Sequence, residues 1–454
     1  MKRPVANEPR PSPTLLLEIA PVLTLSLVTI LALALLLGGG VWIAFALLGT
    51  GWIALSTFTS FEPGPILASD FWGASYGWEL TALPMFVWMG EVLFRSGLAD
   101  NMFRALSPWL NRLPGRLLHS NIIGSGLFAA VCGSSAATCA TVGKMTLPEL
   151  ERRGYDANLA IGTLASASTL GLLIPPSIMM IVYGVVTEQS ISRLFIAGIG
   201  PGLLLLGLFM AYLIGWSLLV GERQGRAGKR EPSTTLREKL AGSIQLIPLL
   251  ILIGGILGSI YGGFASPTEA ASAGVVLSML IARANGHFNK AIFLDSLFAA
   301  LRTSCMIAFI IAGASFLSSA MGFTQLPMQL ANAIAGMGLS PTALLVILTL
   351  FLLVLGCFLD GISLILLVTS IIMPLIETAG FDLIWFGIYL VIVVEMSQIT
   401  PPVGFNLFVI QGMTGKDIVT ITRATVPFFL LMLLAIALMR LFPEIALYLP
   451  QAMN

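Results

Sequence analysis

Charge is scarce in this chain. Its 454 residues include 23 Lys+Arg and 22 Asp+Glu, 10% of the total, where a soluble globular domain carries roughly 25%. So few charges cannot cover a water-facing surface. Histidine is rarer still, with only His119 and His287. The four cysteines (Cys132, Cys139, Cys305, Cys357) sit in apolar stretches without CxxC spacing, which excludes a disulfide framework or a zinc site. HExxH, Walker A and GxGxxG patterns are absent, so no nucleotide or metal chemistry is announced. Energy for work must then come from elsewhere, such as an ion gradient. A net charge of +1 removes any broad electrostatic case for nucleic-acid or acidic-polymer partners. What is plentiful is apolar: 57% of residues are AVILMFWYC and the mean hydropathy is +0.95. These figures describe an all-α polytopic membrane protein.

A crossing helix needs about 20 apolar residues. Candidate crossings are 14–37, 40–58, 79–95, 157–187, 194–220, 241–263, 268–284, 293–320, 383–413 and 424–443. Met1–Pro13 is a polar tail without the short apolar core and small-residue cleavage site of a removable signal peptide. Two further stretches, about 120–150 and 343–376, are apolar but broken by Gly133-Ser134-Ser135 and by Asp360-Gly361. With flanks of about 13 residues, each arm is too short to cross at about 1.5 Å per residue. Re-entrant helical hairpins are expected there.

The chain repeats itself. At an offset of 226 residues, Pro148/Pro374, Glu151/Glu377, Gly154/Gly380, Asp156/Asp382, Pro175/Pro401, Pro176/Pro402 and Pro201/Pro427 pair without a gap. Tyr155/Phe381 adds an aromatic pair. A register held through prolines, glycines and acids predicts a duplicated unit. Residues 1–220 form the first copy, 221–240 a linker and 241–454 the second.

Basic residues favour the cytoplasmic side. Arg104, Arg112, Arg116, Arg152 and Arg153 mark the base of the first hairpin as cytoplasmic, and the linker segment ERQGRAGKREPSTTLREK does the same. The matching turn of the second copy holds Glu377 and Asp382 without Lys or Arg, and loop 59–78 has Glu62 and Asp70 without a basic residue. Both read as external. The copies are therefore expected to be inverted repeats, each with about five crossings and one hairpin. Lys2, Arg3 and Arg10 in the tail conflict with this orientation, which puts the N-terminus outside.

Inverted repeats with helices broken at mid-membrane are a signature of secondary transporters. Carbonyls at the end of an incoming half-helix suit Na⁺, and free N–H groups opening the next half-helix suit a carboxylate. Gly133-Ser134-Ser135 with Thr138, and Asp360-Gly361 with Ser363, supply such groups at the two tips. Ile174-Pro175-Pro176-Ser177 and Thr400-Pro401-Pro402-Val403-Gly404 break the long crossings by removing backbone donors, and Asn406 adds an amide. Taken singly, a Gly/Ser cluster is more often a packing interface and a Pro-Pro pair a kink. Recurrence of tip and break together in both halves favours a site. Asp360, which costs about 2.5–3.5 kcal/mol near mid-membrane, is expected to be a cation ligand or a proton carrier. Glu91 and Glu395 read equally as scaffold or as coupling groups, and Lys144 as an interfacial side chain or an anion-attracting one.

Several segments together resemble one family. GSSAATCATVGKMTLPELERRGYD, IPPSIMMIVYG with SISRLFIAGIGPG, GGFASPTEAA, and GFDLIWFGI with ITPPVGFNLFVI are similar to the large membrane subunit of TRAP (tripartite ATP-independent periplasmic) transporters, from about Gly40 to about Pro427. The resemblance implies the permease of a bacterial inner-membrane uptake system, acting with a small membrane subunit and a periplasmic substrate-binding protein. Such systems import organic acids on a Na⁺ gradient, by an elevator movement of the hairpin-bearing domain. Carried onto this sequence, it implies one Na⁺ site at Gly133, Ser134, Ser135, Thr138 and Pro175, and a second at Asp360, Gly361 and Thr400. The substrate cavity it implies lies between the tips, with Ser134, Ser135, Ser177, Ser363, Pro402 and Asn406. Ser397-Gln398 departs from the Gly-plus-apolar pair more usual in the family.

Two other readings compete. A stand-alone anion permease of similar architecture would need no binding protein. An intramembrane serine hydrolase would need a base for Ser134 or Ser135, with His119, His287 and Lys144 as the available groups.

Overall fold

The computed structural model describes residues 13–221, 235–325, 328–329, 339–401 and 404–453. Regular structure among them is helical. In chain order come α1 (Pro13–Gly38), α2 (Ile43–Phe58), α3 (Pro63–Ser75), α4 (Ala82–Arg95), α5 (Leu98–Leu110), α6 (Leu118–Cys132), α7 (Ser135–Arg152), α8 (Ala157–Ala167) and α9 (Ile178–Val186). There follow α10 (Ile191–Trp216), α11 (Leu236–Ser243), α12 (Ile247–Tyr261), α13 (Pro267–Ala284) and α14 (Lys290–Thr324). The last are α15 (Pro341–Gly356), α16 (Gly361–Thr378), α17 (Leu383–Ser397), α18 (Phe405–Thr414), α19 (Ile418–Leu441) and α20 (Glu444–Ala452). Among the described residues, five helical stretches are long and apolar enough to cross a membrane: Ile191–Val220, Arg237–Tyr261, Lys290–Thr324, Gly361–Thr378 and Ile418–Leu441. Their outward faces carry exposed Leu250, Ile251, Phe298, Leu430 and Leu434, which a lipid environment solvates at no cost.

Local structure repeats at the sequence offset. Helices α7 and α16 have the same length, each capped by the residue before it, Ser134 and Asp360. Each carries a proline at the same position, Pro148 and Pro374. Each then turns through a left-handed glycine, Gly154 (φ 76°) and Gly380 (φ 74°), a conformation that costs glycine little. Asp156 and Asp382 next cap α8 and α17, accepting from Leu159 N (3.0 Å) and Trp385 N (2.9 Å). The residues that pair in sequence are thus those that start, bend and stop helices.

Two packed groups surround these elements. Long α14 lies against α2, α3 and α4, with Phe309 meeting Phe45 (5.1 Å) and Phe71 (6.1 Å) and Phe293 meeting Trp88 (5.6 Å) between ring centres. The second group holds the α6–α7 and α15–α16 hairpins with the broken segments 157–187 and 383–413. Backbones touch there: a Cβ on Gly171 would stand 2.1 Å from the Ala129 Cβ, and one on Gly162 2.2 Å from the Ala424 carbonyl oxygen. Ser370 of α16 links the groups, its hydroxyl donating to the Ala314 carbonyl of α14 (3.1 Å).

Two expectations need correction. Residues 59–78 are not a plain loop, because α3 occupies most of the segment. Its start is set by Pro63 at the first helical position, and its Phe71 packs on α14. The hairpin arms are also longer than about 13 residues, at 15 and 18 in the first and 16 and 18 in the second. The caps at Ser134 and Asp360 start the return arms at the tip, and Pro148 and Pro374 sit inside the helices instead of ending them. By length and composition, α16 is itself long enough to cross.

Charged segments gather at two ends. The Tyr155 hydroxyl accepts from Leu117 N (3.3 Å), joining the α7–α8 turn to residues 111–117. Trp109 donates to Ser243 (2.8 Å) and Lys239 lies over its ring (5.7 Å), bringing the linker-side helix α11 to α5. At the other end Tyr183 donates to the Leu383 carbonyl (2.6 Å), beside the turn with Glu377 and Asp382. That end is not free of basic groups, since Arg440 stands 5.9 Å over the Phe381 ring.

Candidate functional site

The two broken segments run antiparallel and meet at their breaks. Segment 157–187 starts as α8 at Asp156, passes through a 3-10 turn (Ser168–Leu172) and the buried Pro175-Pro176, and resumes as α9 at Ser177. Segment 383–413 starts where α9 ends, through the Tyr183–Leu383 contact. It finishes beside the start of α8, where Gly412, Met413 and Thr414 line one cleft with Ala157, Ala160 and Ile161. At the midpoint, the Asn406 amide of α18 donates to Ser135 Oγ (2.6 Å), the Ala165 carbonyl (3.1 Å) and Ser168 Oγ (3.3 Å). One side chain thereby ties together the first hairpin tip and both breaks.

Both tips rest on successive residues of α9. A Cβ on Gly133 would stand 2.9 Å from Ile178 Cδ1, and one on Gly361 2.4 Å from Met179 Cε. Ser134 caps α7, accepting from Ala137 N (3.3 Å). Ser177 caps α9, accepting from Met180 N (3.3 Å) while donating to the Leu172 carbonyl. Thr400 donates to the Met396 carbonyl, and Ser363 is fully buried and donates to Asp360. The structure thus gathers Gly133, Ser134, Ser135, Ser177, Gly361, Ser363 and Asn406 around the tips and breaks, with Pro175 beside Ser177. Thr138 lies one turn into α7. Pro402 lies outside the described residues.

Asp360 has a local occupation. One carboxylate oxygen accepts from Ile362 N (3.2 Å) and Ser363 N (3.3 Å), the other from the Ser363 hydroxyl. The side chain is exposed. Capping thus accounts for its position. The two glutamates that read alike in sequence differ here: Glu91 pairs with Arg95 one turn on, whereas Glu395 is fully buried and neither carboxylate oxygen has a hydrogen-bond partner. Thr138 Oγ1, Ser166 Oγ and Asn406 Oδ1 are likewise buried and unpartnered. Unpartnered buried polar atoms are costly; these lie on the tip and break elements, while others, on Thr29, Ser217, Tyr261 and Ser304 among them, lie elsewhere in the molecule. Ser166, Ser168 and the Ala165 carbonyl escaped the sequence reading because they lie inside one continuous apolar window. Their signal was the run of small residues ASASTLG.

The hydrolase arrangement does not assemble. Lys144 is nine residues from Ser135 along one helix, about 13 Å. His119 opens α6 at the opposite end from the tip, bound to the Pro114 carbonyl (2.7 Å), and His287 packs against Gly97. The Ser135 hydroxyl meets Asn406 instead of a base.

A family model described as "Tripartite ATP-independent periplasmic transporter, DctM component" matches residues 29–445. The chain belongs to this family. It is 34% identical over 397 residues to the C4-dicarboxylate TRAP transporter large permease protein DctM of Pseudomonas aeruginosa, covering 87% of this chain and 92% of that protein. It is 32% identical over 380 residues to the ectoine TRAP transporter large permease protein TeaC of Halomonas elongata, covering 82% and 86%. In shape it matches the crystal structure of the Alcanivorax borkumensis YdaH transporter with a TM-score of 0.60 at 14% identity, covering 90% of this chain and 97% of that one. That likeness concerns the fold alone. As a TRAP large permease, the protein is a multi-pass inner-membrane transporter and not an enzyme.

Proposed function

We propose that this permease is a Na⁺-coupled importer of an organic acid, a carboxylate delivered by a periplasmic binding protein, working beside a small TRAP membrane subunit. Its two halves, 1–220 and 241–454 about a cytoplasmic linker at 221–240, act as inverted repeats, and the hairpin-bearing group moves as an elevator against the group built on α14. The observation that carries this reading is the antiparallel meeting of two broken segments, with buried, unpartnered polar atoms on the elements around it. Broken helices of this kind suit ions and carboxylates in secondary transporters.

Na⁺ is assigned to the first tip, with Gly133, Ser134, Ser135, Thr138 and Pro175, and to the second, with Gly361 and Thr400, where Asp360 holds the tip in place by capping α16 and does not itself supply the ion's charge. The carboxylate is assigned to the space between, bounded by Ser134, Ser135, Ser177, Ser363, Pro402 and Asn406. Glu395 supplies the negative charge that the neutral hydroxyls lack. Different cargo in the names of the two relatives, a C4-dicarboxylate and ectoine, leaves the identity of the acid to the binding protein and to a few cavity side chains.

Thermal unfolding of the purified protein in NaCl against equal KCl is the direct test. A ligand at a hundredfold its Kd stabilises by about 2.7 kcal/mol, so a Na⁺-specific rise in Tm of a few degrees is expected. Equal Tm in both salts at saturation sinks Na⁺ coupling. Uptake of labelled acids into proteoliposomes, with and without the periplasmic protein, separates the tripartite reading from a stand-alone permease, which needs no soluble partner.

A further inference from the structure

A second place for an anion lies away from the tips. Between α7, the start of α8 and the end of α18 opens a cleft of ≈ 500 Å³, within the size range of small-ligand sites. Lys144 enters it from α7 and Lys416 from the α18–α19 turn. Neither takes part in an ion pair: those among the described residues are Arg95–Glu91, Arg152–Glu149 and Arg153–Glu149. The carboxylate next to Lys416 is engaged elsewhere, because Asp417 accepts from Thr420 N (3.2 Å) and Thr420 Oγ1 (2.6 Å) and is held below the usual carboxylate range by that hydroxyl and N–H. Glu151 is the one acidic residue in the lining, so the two lysines leave it net positive.

The walls are set by packing. Gly143 lets Met413 and Leu164 close to within 2.8 Å of its missing Cβ, and Tyr155 is held through its contact with Leu117 N. Lys144 is nine residues beyond Ser135 and Lys416 ten beyond Asn406, so the cleft sits roughly 13–15 Å along the helices from the tip cluster. A small carboxylate cannot span that distance. The cleft's lining residues Glu151 and Tyr155 belong to the turn that carries Arg152 and Arg153, and Tyr155 meets Leu117 beside Arg116.

We propose that Lys144 and Lys416 form an exit site for organic carboxylates on the cytoplasmic side, where cargo released from the tips is held by two ammonium groups before it leaves. The inference rests on the transport reading for the word exit. The carboxylate site itself does not depend on it.

The test uses the full chain with its native cysteines replaced and a fluorophore attached through Gly412→Cys, a lining position with open space around its Cβ. Succinate is titrated as the probe, with inorganic phosphate in parallel at equal ionic strength. A saturable succinate response is expected, with half-saturation raised at least tenfold in Lys144→Gln and in Lys416→Gln and unchanged in Lys290→Gln at the exposed start of α14. A response equal in wild type and lysine variants overturns the site, as does the absence of any response. A phosphate response as strong as that to succinate, or one seen only when anionic phospholipid is added, overturns its assignment to carboxylates. Uptake of a panel of labelled acids by wild-type proteoliposomes, with the small subunit and the periplasmic protein present, is scored separately: lysine-dependent succinate binding with no Na⁺-driven uptake of any acid defeats the proposed Na⁺-coupled import of carboxylates and leaves the site.

Discussion

The carboxylate of Asp360 is engaged by its own helix, whereas that of Glu395 has no hydrogen bond of normal geometry. Asp360 stands at the second tip, but three local donors already occupy its oxygens, and losing an N-cap of this type costs about 0.5–2 kcal/mol. Glu395 is fully buried, with no hydrogen bond of normal geometry to either oxygen and only the Leu173 backbone N–H acting on it, a state that a bound cation would relieve. Asp360→Ala is therefore expected to lower Tm by a similar amount in NaCl and in KCl. Glu395→Gln is expected to remove most of the Na⁺-specific gain while leaving the KCl value unchanged or raised. If Asp360→Ala alone abolishes the Na⁺ effect, the charge at the ion site is Asp360 and the assignment of Glu395 is lost. A single sequence makes such residues look alike because burial and pairing are properties of neighbours far along the chain. Asn406 was visible as an amide after a Pro-Pro break, but its partners Ser135 and Ser168 lie 271 and 238 residues away.

At the scale of elements, more was legible. Proline, left-handed glycine and capping aspartate act on the backbone within a few residues of themselves, so their recurrence at one offset announced the congruent helices α7 and α16 and the congruent starts of α8 and α17. Helices α3 and α5 were missed for the converse reason: they hold enough polar residues to fall below any crossing threshold, and their apolar sides are satisfied by α14 and α6. The arm lengths were missed because apolarity marks only where the apolar run ends, whereas the helices continue two residues further at each outer end, to Leu118 and Arg152 in the first hairpin and to Pro341 and Thr378 in the second. Close contact between elements is also testable. A methyl at Gly171 or Gly162 would overlap α6 or α19 backbone atoms, as described above, and overpacking of this kind costs about 1–3 kcal/mol. Gly171→Ala and Gly162→Ala are each expected to lower Tm measurably. Gly412→Ala, with nothing within 4 Å of its Cβ, is expected to hold or raise Tm through helix propensity. Equal tolerance at all three positions would mean that α8 and its 3-10 continuation do not pack as described.

At the scale of the whole molecule, the proposed elevator needs the hairpin group to slide past the α14 group, and the contact between them is therefore the place to stop it. Apart from lipid, that boundary includes α16 against α14, where Ser370 donates to the Ala314 carbonyl at 3.1 Å. Ala314 lies at this boundary, and among the described residues no ion pair spans it to resist sliding. Two cysteines bridge only when their Cα atoms lie within about 4.4–6.8 Å, so a disulfide here reports and then fixes one relative position. With the four native cysteines replaced, Ala314→Cys paired with Ser370→Cys is expected to cross-link under oxidation. Na⁺-driven uptake should then fall at least tenfold and recover on reduction, while either single cysteine behaves as wild type under both conditions. Full uptake by fully cross-linked protein would mean that α16 keeps its place against α14 throughout the cycle. Transport would then require local opening of the tips over Ile178 and Met179 in place of movement by the hairpin group as a body.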